Sequence, residues 1–134
     1  MTSRRNRILV VDDDADIREA LEQVLLSAGN RVSTAKNGKD ALDLIQTNRP
    51  DVILLDLMMP VMDGFRFREA QKRDRTLADI PVVVISAVAA QNAAALGDVA
   101  ACLPKPFSID VLLDTISMCQ RQASRRGMVD PSGR

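Results

Sequence analysis

The chain has 134 residues, 46% of them apolar and 27% charged, with 18 Lys+Arg against 18 Asp+Glu. That length and balance fit one globular domain and argue against disorder, a strongly basic nucleic-acid binder or a membrane-surface protein. With no histidine and only two cysteines, Cys102 and Cys119, seventeen positions apart, the chain cannot build Ser-His-Asp catalysis, a His-ligated zinc site or a Cys-rich metal site. Both thiols read as small apolar residues.

Strand-like and helix-like segments alternate along the chain. Ile8-Leu9-Val10-Val11 is a short apolar run. Asp14–Ala28 follows as a helix, because Ile17, Leu21, Val24, Leu25 and Ala28 share one face of a 3.6-residue period. Gly29-Asn30 stops it. Arg31–Ala35 is a more polar strand, suited to a sheet edge, and Gly38–Thr47 is a second helix. Val52–Leu55 and Val82–Ile85 are continuous apolar runs of the kind buried on both faces of a parallel sheet. Between them, Leu57–Asp63 is a loop and Gly64 opens a helix over Phe65–Arg73. A short Ala-rich helix at Asn92–Leu96 and a strand at Ala100–Leu103 precede Pro104-Lys105-Pro106. Ser108 then reads as the N-cap of a final helix. The expected organisation is an arm over residues 1–6, one α/β domain over 7–122 and a flexible polar tail over 123–134. No apolar run approaches a membrane span and no secretory leader is legible, so a cytoplasmic location is expected.

In a parallel sheet of this kind, functional groups gather beyond the carboxyl ends of the strands. There stand Asp12 and Asp13 after the first strand, Asp56 after the third, Ser86 at the fourth and Lys105 after the fifth. Taken singly, an Asp after a strand is more often a helix cap, the role expected of Asp14. Four strand ends carrying complementary groups argue for a site. Clustered carboxylates repel unless a hard cation joins them, and an oxygen-only set suits Mg²⁺. The set reads as a phosphoryl site: Asp56 as nucleophile, Asp12 and Asp13 holding Mg²⁺, Ser86 and Lys105 contacting phosphoryl oxygens.

The motifs Val10-Val11-Asp12-Asp13-Asp14, Leu55-Asp56-Leu57-Met58-Met59-Pro60, Met62-Asp63-Gly64, Ile85-Ser86-Ala87 and Leu103-Pro104-Lys105-Pro106-Phe107, in this order, resemble the response-regulator receiver domain of two-component signalling. The resemblance runs from about Arg7 to Gln122. It implies a flavodoxin-like α/β/α fold with a five-stranded parallel sheet in the order 2-1-3-4-5. It also implies that Asp56 is the phosphoacceptor and that the Met58 backbone carbonyl joins Asp12, Asp13 and Asp56 around Mg²⁺. Ser86 and Lys105 are then the hydroxyl and cation that meet the phosphoryl group. The implied donor is a phosphohistidine on a histidine kinase or a histidine phosphotransfer protein, as in a phosphorelay.

Two features depart from the family pattern. Cys102 stands three residues before Lys105, where an aromatic ring is common. Ser86 and Lys105 are 19 positions apart, so the fourth helix, Asn92–Leu96, should be about a turn short. The signal is therefore expected to leave through Met58–Gly64 and Pro106-Phe107, on exposed Met and Phe, rather than through Cys102. The overall expectation is a single-domain regulator that catalyses only its own phosphorylation and slow dephosphorylation. It should act on an unknown downstream protein, with no direct contact to nucleic acid or membrane. The alternatives are a phosphorylation-independent adaptor, a haloacid-dehalogenase-like phosphohydrolase and a flavodoxin. The second wants an Asp where Met58 stands, and the third wants a phosphate loop where Asp12-Asp13-Asp14 stands.

Overall fold

The computed structural model describes residues 6–86 and 99–128. In chain order the elements are β1 (Arg7–Val11), α1 (Ala15–Ser27), β2 (Arg31–Ala35), α2 (Gly38–Thr47), β3 (Val52–Leu55), α3 (Gly64–Arg73), β4 (Val82–Ser86), β5 (Ala101–Pro104) and α4 (Ile109–Met128). The helix expected at Asn92–Leu96 lies outside the described residues.

The five strands form one parallel sheet in the order β2-β1-β3-β4-β5. Its centre follows from the sequence: β3 and β4 are buried at every residue, while β2 and β5, less apolar, take the edges. Side chains alternate across the sheet. Leu9, Val11, Ile53, Leu55, Val82 and Val84 pack with Ala41 and Ile45 of α2 and Phe67 of α3. Ile8, Val10, Val52, Leu54, Val83 and Ile85 pack on the other face with Leu21 and Leu25 of α1 and Leu112 and Ile116 of α4. The result is three layers, with α2 and α3 on one side and α1 and α4 on the other. Cys102 packs against the first cluster and Cys119 lies in the second, so they occupy opposite sides of the sheet. Burial pushes both thiols up, which keeps them protonated.

Each helix start is set by a short polar side chain. Asp14 accepts from the N–H groups of Asp16 and Ile17, Asn37 from Asp40, Asp63 from Arg66 and Ser108 from Val111. α1 ends where Gly29 takes φ 94°, with Gly29 N–H donating to Leu26 and Asn30 N–H to Leu25. α4 extends to Met128, so the boundary expected at residue 123 falls inside a helix. Gln, Ala, Ser and Arg are tolerant helix residues that carry the backbone on.

Candidate functional site

Register brings the strand ends into line. Val11 pairs with Leu55 and Leu55 with Val84, and Ser86 pairs with Pro104. The ladder continues one residue further: Asp12 N–H donates to Ala35, Asp56 N–H to Val11 and Lys105 N–H to Ser86. Asp12, Asp56 and Lys105 are thus held by backbone bonds before their side chains do anything. The order 2-1-3 places β1 beside β3 at the topological switch point, where such sheets open a crevice.

One carboxylate oxygen from each of Asp12, Asp13 and Asp56 lies within 4.8 Å of the others. Asp12 and Asp56 are buried and Asp13 is exposed. Lys105 enters from the far end of the sheet, its Nζ 3.0 Å from Asp12 Oδ2 and 3.8 Å from Asp56 Oδ2. Burial, and next the charge of Asp12, push the Asp56 carboxyl above its ordinary range. Lys105 and the N–H groups of Met58 and Leu57 pull the other way. Three carboxylates against one ammonium leave a surplus of negative charge on hard oxygen donors. That donor set fits Mg²⁺, which takes few carboxylates and keeps open positions for water or phosphate.

Each residue singled out in the sequence can now be placed. Asp12, Asp13, Asp56 and Lys105 converge. Ser86 is buried at the carboxyl end of β4, and its carbonyl accepts from Lys105. Met58 follows two residues after Asp56, its N–H 3.4 Å from Asp56 Oδ1 and its side chain 63% exposed. Asp14 caps α1, as expected. The apolar surface beside the site differs from expectation. Met59 is buried, Met62, Phe65 and Phe107 are half-buried, and the exposed pair is Met58 and Val61.

Three residues to which the sequence reading gave no role in the site shape it. Arg18 Nη1 donates to the Asp12 carbonyl at 2.9 Å. Its signal was its place four residues after the cap Asp14, which returns a long side chain over the helix start. Gly64 lies so close to the acceptor segment that a Cβ there would sit 2.5 Å from the Asp56 carbonyl oxygen. Val61 holds φ 69°, a region β-branched residues rarely enter, in the turn that leads the chain from Asp56 to α3.

Fold and site define a doubly wound α/β protein with an acidic pocket at its switch point. The family follows from similarity to known proteins. The family model for the response regulator receiver domain matches residues 8–117. The response regulator MprA of Mycobacterium sp. (strain KMS) is 40% identical over 121 residues, which cover 88% of this chain and 52% of that protein. The chemotaxis response regulator CheY4 of Vibrio cholerae is 34% identical, with a TM-score of 0.77, covering 87% of this chain and 99% of that one. The signal receiver domain of a signal transduction histidine kinase from Syntrophus aciditrophicus gives a TM-score of 0.83 at 26% identity, covering 90% and 93%. The chain belongs to the response regulator receiver domain family of two-component, phosphorylation-based signalling. It spans about half the length of the curated relatives it matches.

Proposed function

We propose that this chain accepts a phosphoryl group from a phosphohistidine donor onto Asp56 in a Mg²⁺-dependent reaction, and then signals by protein contact. The observation that supports it best is the convergence of Asp12, Asp13 and Asp56 within 4.8 Å, with Lys105 Nζ bridging Asp12 and Asp56. An Asp56 carboxylate oxygen forms the new bond to phosphorus. The phosphorus–nitrogen bond of the donor breaks, and the imidazole nitrogen keeps that electron pair and takes up a proton. Held by Asp12, Asp13, Asp56 and the Met58 backbone carbonyl, Mg²⁺ would supply positive charge against the oxygens of the transferring group. Lys105 is close enough to Asp56 to exchange its carboxylate contact for a phosphoryl oxygen, and Ser86 supplies a hydroxyl donor on the β4 side. Ladder bonds fix the backbone of Asp12, Asp56, Ser86 and Lys105, so the chemistry needs positioning and charge more than proton transfer.

In this reading catalysis extends only to the chain's own phosphorylation and slow dephosphorylation. Met58 at the second position after Asp56 provides no acid for turnover of a phosphate ester. The donor is a histidine kinase or histidine phosphotransfer protein in the cytoplasm, and the output is a protein, with neither nucleic acid nor membrane contacted directly. Among the described residues no helix is long and apolar enough to cross a membrane. The single-domain reading requires that this chain alone, once phosphorylated, binds its target. The test uses acetyl phosphate with Mg²⁺ and intact-mass spectrometry. One hydroxylamine-labile phosphoryl group should appear on the natural chain and none on Asp56→Asn. Equal labelling of the two proteins would overturn the assignment.

A further inference from the structure

The three oxygens of Asp12 have three different partners. Its Oδ1 accepts from Asp14 N–H at 3.0 Å, its Oδ2 from Lys105 Nζ at 3.0 Å and its carbonyl from Arg18 Nη1 at 2.9 Å. The first two fix the carboxylate. The third fixes something else, because the Asp12 carbonyl belongs to the peptide plane that carries the Asp13 nitrogen. A clamp on that carbonyl sets the plane, and the plane sets where the Asp13 Cα and side chain stand. Asp13 needs such support: it is exposed, whereas Asp12 and Asp56 are buried by the sheet and its loops. Arg18 is itself half-buried and sits in the first turns of α1, which Asp14 caps.

We infer that Arg18 is a positioning residue for the cation site, acting through the Asp12–Asp13 peptide to hold the Asp13 carboxylate in reach of the ion shared with Asp12 and Asp56. The inference rests on the Mg²⁺ reading above. It also predicts a sign that simple charge does not. A guanidinium bonded to the backbone of one cation ligand repels a second cation, so its removal should tighten Mg²⁺ binding if charge alone mattered. If Arg18 acts by positioning, its removal should loosen binding instead.

The experiment is a calorimetric Mg²⁺ titration of the natural chain, Arg18→Met, Arg18→Lys, Asp13→Ala and the Arg18→Met/Asp13→Ala double variant, with thermal unfolding in EDTA as a fold check. Arg18→Met keeps the length and apolar stem and removes the donor. It should weaken Mg²⁺ about 10-fold, the lower end for loss of a group that orients a metal ligand. Arg18→Lys keeps a donor and should recover part of that loss. With Asp13 gone the clamp has nothing to aim, so the double variant should bind like Asp13→Ala alone. Unchanged or tighter Mg²⁺ binding by a folded Arg18→Met overturns the inference, as does full additivity in the double variant. If Arg18→Met fails to fold, Arg18→Lys decides, because it keeps the charge and loses the planar donor fork: Mg²⁺ binding weakened relative to the natural chain supports the clamp, and equal or tighter binding overturns it. Absence of Mg²⁺ binding by the natural chain overturns the cation site itself, and is told apart because it needs no variant.

Discussion

Asp56 is pulled two ways: burial and Asp12 favour its neutral form, while Lys105 and the N–H groups of Met58 and Leu57 favour its charged form. Burial and Asp12 raise its pKa, so the folded chain binds a proton more tightly than the unfolded chain does. Stability from this group is therefore full below the unfolded carboxyl value and falls as pH rises through the window up to the raised folded value. At neutral pH the charged Asp56 is a cost that Lys105 only partly offsets. Asp56→Asn in EDTA should raise the unfolding temperature at pH 7, by roughly 3–4 °C for about 1 kcal/mol in a chain of this length. The gain should disappear near pH 3. With millimolar Mg²⁺ it should shrink, because the ion stabilises only the chain that binds it. Thermal unfolding over pH with and without the metal measures this, and a variant less stable than the natural chain in EDTA at pH 7 would contradict it.

The elements were legible in the sequence wherever a local rule decides them. Asp14 as cap, Gly29-Asn30 as stop, the span Gly38–Thr47 and the polar edge strand Arg31–Ala35 all rest on neighbouring residues, and the structure has them where the pattern puts them. What depends on distant placement was not legible. No short-range rule shows that Gly64 must touch the Asp56 carbonyl or that Val61 turns into positive φ. Gln71 belongs with these. Written as a polar residue on α3, it is fully buried: its Nε2 donates to the carbonyls of Leu77 and Ile80, and its Oε1 accepts from Arg68. It ties the α3–β4 connection to the helix alongside that connection's own turn bonds. Gln71→Leu keeps the volume and strips this network, and should cost about 2–4 kcal/mol. Urea unfolding would read it, and a loss under about 0.5 kcal/mol, the ordinary size for a surface change, would show that the connection is held some other way.

For the whole molecule, the sheet is the frame and the loops at its carboxyl edge carry the site. The convergence of the site was legible because each strand end carried its own signal; that Asp12 and Asp56 become neighbours depends on strand order, which came from the resemblance and not from any single strand. In the proposed function, a phosphoryl group on Asp56 would bear first on what bonds to that carboxylate: the N–H of Met58, Lys105 Nζ and, through Gly64, the start of α3. Met58 and Val61 present apolar surface there, 63% and 74% exposed. On β5, Cys102 is half-buried and brings no ring whose burial could follow the site. With beryllofluoride as a stand-in for the phosphoryl group, amide shifts should change most over Met58–Gly64 and at Lys105 and Phe107, and little over Val99–Leu103. The reverse pattern would place the output on β5.

The proposed transfer to Asp56 leaves an acyl phosphate that can be located directly. An acyl phosphate is reduced by borohydride to an alcohol while a free carboxylate is not, so the acceptor can be marked in place as homoserine. The chain should be phosphorylated with acetyl phosphate and Mg²⁺, reduced, digested and mapped by tandem mass spectrometry. Homoserine is expected at position 56 alone, with Asp12 and Asp13 unchanged. Homoserine at position 12 or 13, or an unmarked Asp56 in a chain that has gained a phosphoryl group, would contradict it.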